Sequence, residues 1–403
     1  MFAFQEEELA QIRIKVIGIG GAGCNAVNTM IAAGLTGVEF VVANTDVQSL
    51  NKSATKYKIQ LGPECTRGLG AGANPEVGKE AALESENEIR TALEDANMVF
   101  VTAGMGGGTG TGGAPVAARL ARDLGVLTVG VVTKPFQHEG KRRMGHAEEG
   151  LRELRRHVDS LLVIPNQKLL TLVDKSTPVL EAFRVADDVL RQAIKGITDV
   201  ITTPGLVNVD FADVKTVMSY RGRAVMGMGV AKGPNRALEA AQQAITSPLL
   251  EETGIEGAKG LLLNITGSGD LSLHEVDEAS TIAKEAADPQ ANIIVGHVID
   301  PGLEDEVIVT VIATGFEQSQ DFLRAKSQPA VSQGAQERLH LSVPQAPQPV
   351  LTMARTASGD APANDLDRPA FMRRGESEAR VEQGNLLVDA DWDVPTFLRR
   401  RAN

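Results

Sequence analysis

Gly104-Met105-Gly106-Gly107-Gly108-Thr109-Gly110-Thr111-Gly112-Gly113 follows the apolar run Met98 to Ala103 and leads into a helical stretch, Ala114 to Leu124. Five of the seven residues from Gly106 to Gly112 are glycine. At average glycine usage, that placement arises in roughly one chain per thousand of this length, so it demands a reason. Glycine loses more freedom on folding than any other residue, and a rigid strand-to-helix junction made of it makes sense where backbone N–H groups must approach a ligand. Gly108 is read as the place where the backbone approaches and any Cβ would intrude.

A second glycine turn lies upstream. The run Ile12 to Ile17 enters Gly18-Ile19-Gly20-Gly21-Ala22-Gly23, with a helix read from Asn25 to Ala33. This fits G-x-G-x-x-G, in which backbone N–H groups at a helix N-terminus receive phosphate. Asp46, after the run Val38 to Ala43, imitates the ribose-binding acid of a nicotinamide dinucleotide fold, so a NAD-dependent oxidoreductase competes at this point. The second glycine run turns the reading away from it, since two nests at the ends of two parallel strands enclose a longer phosphate chain than one. No G-x-x-x-x-G-K-[ST] occurs, which excludes a P-loop NTPase.

Further strands are read at Tyr57 to Leu61, Val126 to Val132, Ser160 to Ile164, Ala224 to Ala231, Gly260 to Ile265, Ile293 to Ile299 and Val307 to Ala313. Helices are read at Pro75 to Leu93, Arg142 to Val158, Asn235 to Ile245 and Leu273 to Ala286. Apolar strands alternating with helices predict a Rossmann-like α/β fold with a parallel sheet, whose ligands bind at the carboxyl ends of the strands. Between the two halves runs a long helix with Thr177 as N-cap, Pro178 in its first turn and Thr203-Pro204-Gly205 as its stop. Val179, Leu180, Phe183, Ala186, Leu190, Ile194, Ile197 and Ile201 recur at helical spacing, predicting one broad buried face. On that stripe Phe183 reads as core.

Composition narrows the function classes. A net charge of -12 over 403 residues opposes binding of a nucleic-acid backbone. Two cysteines make no disulfide framework, the opening residues lack a signal-peptide pattern, and no apolar run approaches the roughly 18 residues that span a bilayer. A cytoplasmic chain without direct membrane insertion is expected. Neither H-E-x-x-H nor C-x-x-C occurs, which gives zinc no motif.

The run Gly106 to Gly112 resembles the signature loop of the tubulin/FtsZ family of GTPases. The resemblance extends from about Ile12 to Gly315, and Asp393-Val394-Pro395-Thr396-Phe397-Leu398-Arg399 is similar to the C-terminal peptide of the FtsZ branch. It implies an N-terminal extension at 1–11, a GTP-binding domain at 12–176, a central helix at 177–203 and a smaller C-terminal α/β domain at 204–316. Residues 317–384, rich in Gln, Pro, Ser, Ala and Arg, read as a disordered linker, and 385–403 as a partner-binding peptide.

Carried residue by residue, the resemblance gives Gly20, Gly21, Ala22, Gly23, Cys24 and Asn25 to a first phosphate loop, and Gly104, Gly106, Gly107, Gly108, Thr109 and Gly110 to the second. Asn44, Ala71, Gly72 and Ala73 would lie near the phosphates or the water on the Mg²⁺ side. Thr133, Pro135, Glu139 and Arg143 would meet ribose and phosphates; Asn166, Phe183 and Asp187 would hold guanine. Stacking on an aromatic face, with a carboxylate accepting the N1–H and N2–H donors, suits that base. Ala22, Cys24 and Thr29 depart from the commonest residues of the family at their positions, and Thr29 forgoes an arginine contact.

Gly205-Leu206-Val207-Asn208-Val209-Asp210-Phe211-Ala212-Asp213-Val214 follows the long helix. By chemistry alone, Asp210 and Asp213 cap and charge the helix that follows them. The resemblance makes this the synergy loop instead, in which both acids and Asn208 position a water and a monovalent cation for hydrolysis. Some twenty helical residues, or roughly 30 Å at about 1.5 Å each, separate Phe183 and Asp187 from the acids, so these cannot serve their own nucleotide. The implied function is head-to-tail polymerisation into the filaments of the division (Z) ring at mid-cell, with GTP hydrolysed to GDP and phosphate between subunits. Asp393, Pro395, Phe397 and Leu398 would engage membrane adaptors and division regulators.

Overall fold

The computed structural model describes residues 12–316, apart from 172, 175, 204–208 and 221. Contacts divide the chain into Met1–Pro329 and Ala330–Asn403, and all described residues belong to the first unit. The extension 1–11, Asn208, the linker read at 317–384 and the peptide residues Asp393, Pro395, Phe397 and Leu398 lie outside the described residues.

Ten strands are present: β1 Ile14–Ile19, β2 Glu39–Asn44, β3 Tyr57–Gln60, β4 Met98–Gly104, β5 Leu127–Lys134, β6 Ser160–Pro165, β7 Gly222–Lys232, β8 Gly260–Gly267, β9 Asn292–Ile299 and β10 Glu306–Thr314. They join in the order β3-β2-β1-β4-β5-β6-β7-β10-β8-β9. Every pairing from β3 to β7 is parallel, and β10 runs antiparallel to both β7 and β8. The β6–β7 register, Ser160 opposite Gly222 to Leu162 opposite Ala224, carries the sheet from the first half of the chain into the second.

The helices are α1 Gly20–Ala32, α2 Val47–Asn51, α3 Pro63–Thr66, α4 Pro75–Glu84, α5 Glu86–Leu93, α6 Thr109–Asp123, α7 Lys141–Leu154, α8 Asn166–Leu169, α9 Val179–Thr202, α10 Phe211–Met218, α11 Arg236–Ile245 and α12 Leu273–Ala286. One apolar cluster lies between the sheet, α1 and α9, with Val16, Phe100 and Ile194 fully buried. A second, with Ile17, Val101 and Leu120, lies on the opposite face of β1 and β4. A third fills the space around β8, β10 and α11.

Three expectations are corrected. Both glycine-motif helices begin inside their motifs, α1 at Gly20 and α6 at Thr109, not at Asn25 and Ala114. Low helix propensity misleads here because the glycines serve close packing. A Cβ on Gly112 would stand 2.0 Å from the Pro75 carbonyl oxygen, and one on Gly78 would stand 2.3 Å from that of Gly108, so α4 and α6 meet backbone to backbone. The stretch Pro75 to Leu93 is two helices, broken at Ser85. Its hydroxyl donates to the Gln60 carbonyl at 3.1 Å and accepts from the Gly62 N–H at 3.1 Å.

The long helix starts one residue later than read. Pro178, not Thr177, is the N-cap, and its carbonyl accepts from the N–H groups of Glu181 at 3.0 Å and Ala182 at 3.1 Å. Nor is the apolar stripe buried from its beginning. Val179 and Leu180 are 71% and 68% exposed, and burial begins at Ala186. Further along, Gly196 of α9 rests against Thr310, Gly296 of β9 receives Val200, and Asn264 donates to the Gly196 carbonyl at 3.2 Å.

Candidate functional site

The carboxyl ends of β1, β2, β4, β5 and β6 bring most of the singled-out residues to one edge of the sheet. The first four N–H groups of a helix have no partner within it, and two glycine-rich helices start here side by side. A Cβ on Gly20, where φ is +74°, would stand 2.9 Å from the Gly110 nitrogen, and one on Gly104 would stand 2.5 Å from the Ala22 Cβ. The starts of α1 and α6 therefore converge, and together they form a site of positive potential suited to an anion.

The motif glycines divide into two kinds. At Gly21, Gly72 and Gly107 an added Cβ would meet nothing within 4 Å, so their backbones border open space. At Gly108 it would stand 2.8 Å from the Ala71 Cβ and 3.0 Å from the Asn74 nitrogen. The lack of a Cβ at Gly108 thus lets the loop at 71–74 close on the start of α6, in place of the direct intrusion on ligand expected from sequence. Gly106, at φ +98°, donates its N–H to the Thr111 hydroxyl at 2.8 Å. The Thr45 and Thr109 hydroxyls hydrogen-bond each other at 2.6 Å, tying the end of β2 to the first residue of α6.

Ala22 and Asn25 are exposed on α1, whereas Gly23 and Cys24 are buried. Burial pushes the Cys24 thiol up to about 12, so it stays protonated as a small core residue. Asn44 is buried at the end of β2, and Gly72 and Ala73 are exposed beyond it with φ of +58° at both.

Thr133, near the end of β5, and Pro135, just beyond it, are buried and lead to Phe136. Glu139 accepts from the Phe136 N–H at 2.8 Å and pairs with the Arg143 guanidinium at 3.1 Å. Phe136 stacks on His138 with centroids 5.2 Å apart and meets Phe183 edge-on at 5.3 Å and 90°. Phe183 is 39% exposed, which removes it from the core where its spacing put it. One turn on, burial pushes the Asp187 carboxyl up to about 7. Asn166, at the end of β6, is buried, and its Oδ1 has no hydrogen-bond partner among the described residues.

Sequence reasoning missed Phe136, Thr45 and Thr111. Pro135-Phe136 directly after a buried strand is the only signal for the first. The two threonines act through hydroxyl contacts that no spacing announces.

The acids lie at the other edge. Asp210 is the N-cap of α10, accepting from the Ala212 N–H at 3.2 Å, and Asp213 stands in the first turn; both are exposed. The capping role read from chemistry alone is thus present. Ser160, the first residue of β6, donates to the Met218 carbonyl at 2.6 Å and ties α10 to the amino edge. Asn166 follows the last residue of the same strand.

Magnesium takes oxygen ligands, retains water and is commonly held by few protein groups. No group of three His, Cys, Asp or Glu stands together as a metal cage among the described residues. The hydroxyl and amide oxygens of Thr45, Thr109 and Asn44 fit an ion carried mainly by phosphate and water.

Two family descriptions match the chain: "Tubulin/FtsZ family, GTPase domain" over residues 13–174, and "FtsZ family, C-terminal domain" over 222–317. Among solved structures, an FtsZ mutant from M. jannaschii is 47% identical with a TM-score of 0.73, covering 76% of this chain and 92% of its own. An empty FtsZ dimer of the same organism is 48% identical with a TM-score of 0.73, covering 75% and 88%. A GTPγS-bound protofilament of CetZ2 from Haloferax volcanii, 20% identical with a TM-score of 0.66 and covering 78% and 96%, shares the fold.

Proposed function

The chain belongs to the tubulin/FtsZ family of GTPases, and from that membership we propose that it assembles head to tail, with each GTP hydrolysed at the contact between two copies. Gly20, Gly21 and Ala22 at the start of α1, with Gly107, Gly108, Thr109 and Gly110 at the start of α6, hold the phosphates through backbone N–H groups, while Gly23, Asn25, Gly104 and Gly106 shape the turns that carry them. Cys24 takes part through its backbone alone. Asn44, Ala71, Gly72 and Ala73 border the phosphates, and Thr133, Pro135, Glu139 and Arg143 border the ribose. Phe183 stacks guanine, and Asp187 and Asn166 read its edge.

One observation carries the reading: the anion-receiving helix starts and the exposed acids stand at opposite edges of one parallel sheet. From Asp187 to Thr202, α9 alone extends about 20 Å at about 1.5 Å per residue. A second copy stacked on the first brings its Asp210 and Asp213 to the γ-phosphate. Such a contact is heterologous and propagates as an open filament. Water then attacks the γ-phosphorus in line with the leaving oxygen. Asp210 and Asp213, helped by Asn208, orient that water and would hold a monovalent cation that adds positive charge beside it, while the N–H groups of the helix starts bear the charge spread over the equatorial oxygens. Mg²⁺, when bound, supplies charge neutralisation between the phosphates. Phosphate loss removes a ligand that favoured the contact, so GDP-bound copies part more readily.

A filament beneath the membrane at mid-cell, in the cytoplasm, completes the reading, with Asp393, Pro395, Phe397 and Leu398 engaging adaptors and regulators. The boundaries 12–176, 177–203 and 204–316 separate its nucleotide, connecting and acid-bearing parts. Sedimentation and phosphate release, measured together against protein concentration in GTP and in GDP, test the shared site. Release per subunit is expected to rise where the chain begins to sediment, and only in GTP. A rate per subunit that is constant down to isolated monomers would overturn it.

A further inference from the structure

At the amino edge, the groove between α5 and the starts of β1, β2 and β3 has no role in the site described above. Helix α5 is only eight residues long and leaves the sheet partly uncovered toward β3, which is the end strand and pairs only with β2 among the described residues. The uncovered space is a cavity of about 560 Å³, within the range of specific ligand pockets. Val41, Ile59 and Ala92 give it an apolar floor, and Tyr57, opposite Val41 in register, stands 62% exposed at its rim.

Its charged groups are unequally engaged. Lys15 turns its ammonium into the protein, donating to the carbonyls of Ala92 at 3.0 Å and Glu94 at 2.7 Å. It reaches Glu39 only at 3.8 Å, and the Glu39 side chain remains 54% exposed. Lys58 donates to the Asn51 carbonyl at 3.3 Å. Glu88 makes no ion pair or hydrogen bond among the described residues, nor do the side chains of Asn87 and Thr91 beside it. The groups without a partner are thus the Tyr57 face and the Glu88 carboxylate over an apolar floor, while Glu39 is paired with Lys15 through one carboxylate oxygen and half exposed.

We infer that this groove receives an arginine side chain presented by an extended basic segment of a partner protein. An alkyl stem lies on Val41 and Ile59, a guanidinium is attracted to the face of Tyr57, and its N–H groups donate to the carboxylates of Glu88 and Glu39. β3 is the end strand, and its outward backbone groups, apart from the Gln60 carbonyl that Ser85 already occupies, are offered to the segment itself, a recognised mode of peptide capture. The net charge of -12 draws a cationic partner toward the whole molecule.

A labelled, end-blocked Val-Arg-Val-Arg-Val peptide, titrated against the full chain by fluorescence anisotropy, tests the assignment. A citrulline-for-arginine peptide of the same shape is expected to bind about tenfold more weakly. Glu88→Gln and Tyr57→Ala should each weaken the arginine peptide about fivefold while GTP hydrolysis stays at the wild-type rate, which also certifies their folding. Equal binding of the citrulline peptide, stronger binding of a Val-Glu-Val-Glu-Val peptide, or no binding at millimolar concentration would each overturn the inference. So would a loss of GTP-dependent sedimentation in Glu88→Gln without change in peptide affinity, which would make the groove a contact between copies.

Discussion

The two edges of the parallel sheet are built from opposite chemistries. At the carboxyl edge the chain spends glycine, threonine hydroxyls and the bare N–H groups of α1 and α6, all suited to surround an anion. At the amino edge, α10 presents Asp210 and Asp213 to solvent, where no anion would be welcome. On the proposed reading, the first edge holds the polyphosphate and the second orients the water, and the contrast teaches why that reading calls for a second molecule to join them.

Removing the acid should break that complementarity most strongly. Asp213→Ala is expected to retain GTP binding and lose about 10²-fold or more in phosphate release per filament contact. Mixing it with a variant that binds no nucleotide but keeps both acids should restore some release. An inactive mixture that nevertheless co-sediments would refute the sharing of one site.

A pair of glycines sharpens the account of the carboxyl edge. Gly112→Ala drives a methyl to 2.0 Å from the Pro75 oxygen and is expected to cost about 3 kcal/mol in denaturant unfolding. Gly107→Ala, with nothing within 4 Å, should change stability by less than about 0.5 kcal/mol yet weaken GTP binding in calorimetry. Equal melting of the two variants would erase the distinction between packing glycines and ligand glycines.

The smallest effect concerns Asp187. Burial raises its folded-state pKa to about 7, so the folded chain keeps a proton that the unfolded chain releases near pH 4. The stability contribution is complete at low pH, falls as pH rises through this window and is lost above about 7. Without nucleotide, Asp187→Asn should therefore exceed wild type by about 2 kcal/mol at pH 8 and match it near pH 4. Thermal unfolding at the two pH values decides it; a constant difference would show that the carboxyl is not desolvated.

Much of the fold was legible because apolar strands and glycine junctions leave local marks. All ten strands lie within two residues of their reading, and near-continuous apolar strands alternating with helices were the basis for expecting a parallel order. The starts of α1 and α6 were not legible, since glycines that serve close backbone contact, with β4 in α1 and with α4 in α6, look like loop residues to any propensity argument. Phe183 shows a further limit. Its spacing matches the stripe of α9, but the first turns of that helix project past the core, and there Phe183 stands partly exposed with its edge against Phe136. The resemblance to the family singled out Asn166, while the unpaired oxygen that makes it chemically interesting needed coordinates.

The two glycine notches along α9 have a mechanical meaning. Val200 seats in the gap left by Gly296, and Thr310 seats against Gly196, so the helix is keyed to the sheet like a shaft in a slotted hub. Turning it by one residue would drive Val200 against the backbone of β9, and sliding it would lift Thr310 out of its seat. Small rotations of α9 are therefore opposed by its contacts with β9 and β10.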